Sequence, residues 1–216
     1  MTQSFQVQER VGAEFTQEGN WAPGRQGQYG DRYVSQFLPP SARLALLGKL
    51  FVIDMSAGTA IAPVVAAPVA SPQWGLYNHS EQDIMIVLKA TVTLQSGTAG
   101  LGLAVMGAAA IGKQTAVTAD YAGTIKSQTN GQGASPQVWL DSNPTLIGGT
   151  PAWMTFVATA VNSLAVNAVG EGLVAPVDGA LVAPPGGHMV AFEVVGETGA
   201  SALFDMQFLI AMLRMS

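Results

Sequence analysis

The chain holds two histidines and no cysteine, so metal or acid–base chemistry would have to run through His79, His188 and carboxylates. His79 lies in the run Asn78-His79-Ser80-Glu81, and His188 directly follows Pro184-Pro185-Gly186-Gly187. A metal-dependent oxygenase site would set two His close together on one strand with a downstream carboxylate. Here each imidazole stands alone in sequence, and both are read as loop-edge residues, so neither a metal nor a cofactor is expected. Carboxylates pair at Glu81/Asp83 and Glu193/Glu197. The first pair shares strand parity at the start of a strand, where a solvated rim accounts for it. A glycosidase would need two carboxylates facing each other across a sugar, among aromatics. Serine hydrolysis lacks its Gly-x-Ser-x-Gly elbow. A phosphate-binding loop fails at Lys113, which is followed by Gln114 rather than Ser or Thr. Without cysteine there is no disulfide framework, thiolate zinc site or thiol nucleophile. The inventory is that of a non-enzymatic protein.

The elements that would carry these residues are strands. In residues 84–94, Ile84, Ile86, Leu88, Ala90, Val92 and Leu94 fall on one parity, with Lys89, Thr91 and Thr93 on the other. Side chains alternate faces along a strand, so this pattern predicts one buried and one wetter face. Residues 202–213 place Ala202, Phe204, Met206, Phe208, Ile210 and Met212 on one parity, while Leu209, Ala211 and Leu213 make the other parity apolar toward the end. Such a strand requires cover on both sides. Weaker strands are read at 44–55, with Gly48 as a bulge, and at 74–77, 101–110, 153–161 and 188–195, the last with His188, Val190, Phe192 and Val194 on one side and Glu193 on the other, wetter side. Residues 95–100 suit a glycine-containing hairpin loop, and residues 121–136 suit a long polar loop. The strands at 84–95 and 202–213 are expected to pair near a sheet centre. About eight strands with frequent turn signals predict an all-β protein, an antiparallel β-sandwich or jelly roll.

Two features set the chain apart from an ordinary globular domain. Charged residues make up 11% of it and apolar residues 49%, whereas charged residues usually reach about 25%. So little charge points to apolar surface covered in an assembly, the alternative being a monomer whose surface is coated with Ala, Gly and Thr. The net charge of −5 argues against nucleic acid as a partner. No apolar run reaches the ~18 residues of a membrane span, and the N-terminus carries no secretory signal pattern. Residues 1–42 form the second feature, an extended N-terminal arm ahead of a β-domain at 43–216. The arm is punctuated by Pro23, Gly24, Gly27 and Gly30 yet holds Trp21, Tyr29, Tyr33 and Phe37. Disordered tails are usually poor in aromatics, so these side chains are expected to dock, on a neighbouring subunit or back on their own domain. Trp21, Arg25, Tyr29, Arg32, Tyr33 and Phe37 of the arm, with Leu209 and Leu213 of the last strand, are the candidate interface residues.

The run from Trp74-Gly-Leu-Tyr-Asn78 through the turn His79-Ser-Glu-Gln82, the alternating strand, the Ser96-Gly-Thr98 turn and Leu101-Gly102 resembles tailed-bacteriophage virion proteins. The resemblance implies a jelly-roll head protein: a decoration (cement) protein, a spike or a minor capsid component. Such a protein is often trimeric, is bound to the major capsid protein or other virion subunits at the capsid surface, and is made in the host cytoplasm. It brings no catalytic residues. Two other readings stay open on residues alone. One is a carbohydrate- or receptor-binding sandwich using Trp139 or Trp153 with Asp141 and Asn143. The other is a jelly-roll metalloenzyme.

Overall fold

The computed structural model describes residues 40–54, 62–66, 71–97, 102–113, 125–130, 137–142, 144–147, 150–159, 172–186, 188–196 and 202–214. The arm at 1–39, and with it Trp21, Arg25, Tyr29, Arg32, Tyr33 and Phe37, lies outside the described residues. Residues 40–42, assigned to the arm from sequence, instead open a helix, α1 (Pro40–Leu46). Pro40 suits a first helical position, where no amide donor is required. Gly48 closes the element in the left-handed conformation (φ 66°). The Gly48 N–H donates to the Ala45 carbonyl at 2.9 Å and the Lys49 N–H to the Leu44 carbonyl at 2.8 Å, the paired bonds of a glycine C-cap. The predicted strand at 44–55 therefore shortens to β1 (Leu50–Asp54), and Gly48 is a helix terminator rather than a bulge.

Ten further strands follow among the described residues: β2 (Trp74–Asn78), β3 (Asp83–Ser96), β4 (Leu103–Lys113), β5 (Ile125–Ser127), β6 (Val138–Ser142), β7 (Thr145–Ile147), β8 (Met154–Thr159), β9 (Gly172–Ala183), β10 (His188–Gly196) and β11 (Leu203–Arg214). They form two antiparallel sheets. One runs β5-β1-β11-β3-β9; the other runs β6-β2-β10-β4-β7, with β8 also on β4. Setting aside the short β5, β6 and β7, the remaining strands switch sheet at every step except β4 to β8 and pair as β1-β11-β3-β9 and β2-β10-β4-β8. This is jelly-roll order. β3 and β11 pair at the centre of their sheet, as their patterns predict. The turn after Ser96 does not form the expected hairpin, because β3 and β4 belong to different sheets. The polar stretch at 121–136 contains β5, which is held on β1 and buries Ile125.

The core lies between the sheets. Trp74 and Leu76 (β2), Val190, Phe192 and Val194 (β10), and Phe204, Met206, Phe208, Ile210 and Met212 (β11) all point into it. Phe192 and Phe208 join the two layers with ring centroids 4.8 Å apart and planes tilted by 45°. Such a pair adds about 0.5–1.5 kcal/mol beyond burial.

β3 departs from its predicted alternation. Its register on β11 skips Leu88, with Lys89 opposite Leu209 and Val87 opposite Ile210. This one-residue bulge reverses the parity of the first half, because a slip of one residue moves every side chain to the other face. Ala90, Val92 and Leu94 stay inside as expected. Met85 and Val87 enter the core, while Ile84, Ile86 and Leu88 turn outward and are half-buried. Opposite the bulge, edge strand β9 breaks at Asp178 and Gly179, both at positive φ (48° and 79°). An edge position also tolerates Pro176.

At Gly107 the β4 backbone lies against core side chains. A Cβ there would stand 2.7 Å from Leu181 Cδ1 and 3.0 Å from the rings of Phe156 and Phe192. The Leu tip and the half-buried Phe156 ring can yield, but the Phe192 ring is fully buried and held by its packing. Gly107→Ala is therefore expected to lower stability by about 1–3 kcal/mol, despite alanine's better backbone entropy. Urea denaturation checks this, and an unchanged midpoint would mean the Phe192 ring moves freely.

Candidate functional site

At one end of the sandwich a cleft of about 540 Å³ opens between the β2–β3 turn, the start of β1, the end of β11 and the start of β6. Its walls are built by Asn78, which is fully buried at the end of β2. Asn78 Nδ2 donates to the carbonyls of Asp83 (2.7 Å), Ala183 (2.9 Å) and Pro184 (3.1 Å), and its Oδ1 accepts from the Ser80 N–H at 3.0 Å. One side chain thus ties the β2–β3 turn to the β9–β10 turn. Ser80, also buried, accepts at Oγ from the N–H groups of Asp83 (2.8 Å) and Gln82 (3.2 Å) and donates to Asp83 Oδ2 (3.2 Å). The serine is committed to turn geometry and is not poised as a nucleophile.

Three more contacts fix the rim. The His79 N–H donates to the Gln137 carbonyl at 2.8 Å, and the Met212 N–H donates to the Lys49 carbonyl at 2.9 Å. Arg214 Nη2 donates to Gln82 Oε1. The His79 ring lies against Trp139, centroids 3.5 Å apart, with Tyr77 at 5.9 Å. Gln137 holds φ at 58°, a left-handed conformation unusual for a residue with a side chain.

The chain matches no known protein family, no curated protein and no solved structure.

A second group of polar side chains lies buried on the outer face of the six-stranded sheet. Glu193, at 1% exposure, accepts the Gln73 N–H at 2.7 Å, while Gln73 Oε1 accepts the Val194 N–H at 2.8 Å. Burial pushes the Glu193 carboxyl up to about 7, against the opposing pull of the Gln73 N–H. The sequence pattern placed Glu193 on the wet side of its strand. The structure corrects this: Met189, Ala191 and Glu193 are as buried as Val190 and Phe192, because β10 is central and covered on both faces. Asp141 is also fully buried. Tyr77, facing the same way, has its phenol pushed up by burial and secondarily by Asp141. On the other sheet, burial and then the charge of Asp54 push Asp205 up to about 6, against the Met206 N–H.

The predicted site residues fall in different places. Leu209 and Leu213 share the outer face of the five-stranded sheet and are half-buried. Trp139 and Trp153 pack around Tyr77, Leu146, Met189 and Ala191. Trp139 and Trp153 are half-buried, Asp141 is fully buried and so is not offered to a ligand beside them, and Asn143 lies outside the described residues. His79 and His188 line different clefts. Among the described residues, no three metal-ligating side chains gather, and no helix is long and apolar enough to cross a membrane. Lys49, Gln137 and Asn78 went unmarked in the sequence because nothing local signals that three distant turns converge.

Proposed function

We propose that this chain is a non-enzymatic structural subunit that assembles with copies of itself, a trimer favoured, and serves as a decoration or cement protein on a tailed-phage capsid. The observation that carries assembly is the apolar flank where β4 meets β7. Ile111 and Ile147 are cross-strand partners, 54% and 52% exposed. They line a cleft of about 390 Å³ with Pro151, Val182 and Pro184. A second copy is the occupant that low charge and an exposed apolar patch favour. Pro176 and the Asp178–Gly179 break blunt the neighbouring edge of β9 against backbone pairing, so side-chain burial supplies the drive. Jelly rolls are used by viral shell subunits and by lectins. Fold alone does not decide between them, and the virion assignment rests on the resemblance of residues 74–102.

Analytical ultracentrifugation of the full chain tests the assembly. A defined oligomer is expected, and Ile111→Lys with Ile147→Lys should weaken it at least about a hundred-fold, since each buried isoleucine contributes roughly 1.5–3 kcal/mol. A wild-type chain that stays monomeric at high concentration would overturn the reading. Attachment to phage heads, compared with and without residues 1–39, tests the virion role of the arm.

A further inference from the structure

The geometry points to the end cleft as a binding site for a neutral saccharide. This goes beyond assembly, involves different residues and can fail separately. The ligand class follows from what the cleft presents. Lys49 and Glu81 bring opposite charges to the rim, Gln82 and Gln137 bring amides, and the buried edges of Phe51 and Met212 complete the lining. Carboxylate and amide groups pair with adjacent hydroxyls through two parallel hydrogen bonds, the pattern that a polyhydroxyl ligand offers. Lys49 and Arg214, which is bonded to Gln82 on the rim, balance Glu81 and Asp83, so the cleft offers no net charge to favour an ionic ligand. A purely apolar ligand would strip water from all these groups without replacing its hydrogen bonds.

Two observations separate this cleft from an ordinary surface hollow. Its walls are pre-ordered by the buried Asn78 and Ser80 networks, so little conformational entropy is lost when a ligand binds. At its mouth, exposed Gln137 is held in a left-handed backbone conformation by the bond from His79 N–H. Strain of this kind clusters at ligand-binding positions. At about 540 Å³ the cleft falls within the span of small-molecule sites, roughly 300–1,000 Å³.

The test is a glycan array of neutral and acidic glycans probed with the full chain, followed by titration of the hits by NMR. Neutral glycans should bind, with dissociation constants in the micromolar to millimolar range. Lys49→Ala with Glu81→Ala should weaken binding at least ten-fold with an unchanged melting temperature. The Ile111→Lys, Ile147→Lys variant should keep the per-site affinity, which separates the cleft from the assembly flank. No neutral glycan bound at 10 mM, hits confined to acidic glycans, or affinity indifferent to the Lys49/Glu81 pair would each overturn the proposal.

Discussion

Asn78→Ala is expected to destabilise the protein by about 3 kcal/mol and to loosen the end cleft at the same time. The asparagine satisfies the carbonyls of Asp83, Ala183 and Pro184 and the amide of Ser80. Leaving a buried acceptor unpaired costs roughly 1–3 kcal/mol. Two amide hydrogens serve three carbonyls, and the adjacent cleft admits water to some of them, so the loss falls below the sum of separate bonds. For a chain of this size, 3 kcal/mol corresponds to a melting temperature lower by about 6–12 °C. Asn78→Asp sharpens the test. It preserves shape and the Ser80 acceptor but turns an oxygen toward three carbonyl oxygens, so it should be at least as damaging as alanine. If aspartate restored wild-type stability, shape rather than donated hydrogen bonds would be what Asn78 provides. Hydrogen exchange at Ser80, Gln82 and Asp83 should accelerate in both variants, since these amides close the same turn.

Which parts of this architecture were legible in the sequence follows from how far each feature depends on distant residues. β11 alternates without interruption and occupies the sheet centre its pattern predicts. β3 was legible as a strand, but its bulge was not. Nothing local marks Leu88 as the residue to be skipped; the skip is set by β11 and by the Asp178–Gly179 break in β9. β9 went unread for the same reason, since Pro176 and Asp178-Gly179 look like a turn unless an edge position accommodates them. Helix α1 was hidden by leucines that also fit a strand; only the cap at Gly48 decides it. Glu193 shows the limit of pattern reading most clearly. Period-two alternation assigns a carboxylate to water, but β10 is covered on both faces and the charge is buried with its strand. The end cleft could not be read at all, because its walls come from four chain segments and its organiser, Asn78, is an unremarkable residue before a turn.

That buried carboxylate sets the pH dependence of stability. Glu193 titrates near 4.5 when exposed and at about 7 in the fold. Its folded value is raised, so the unfolded chain releases the proton first as pH increases. The stability contribution is complete below about 4.5, declines as pH rises, and is gone above about 7. A displacement of this size corresponds to roughly 3 kcal/mol across the whole window. Asp205, raised from 3.8 to about 6, acts in the same direction over a lower window. Glu193→Gln keeps an oxygen to accept the Gln73 N–H but carries no proton to lose. The variant should match or slightly trail the wild type at pH 4.5 and exceed it by about 2–3 kcal/mol at pH 7.5. Urea unfolding of both proteins from pH 4 to 8 reads this directly, and because all other carboxylates are common to the pair, their contributions cancel in the difference. A difference independent of pH would mean that Glu193 is ionised in the fold, with its charge met by a partner other than the Gln73 amide.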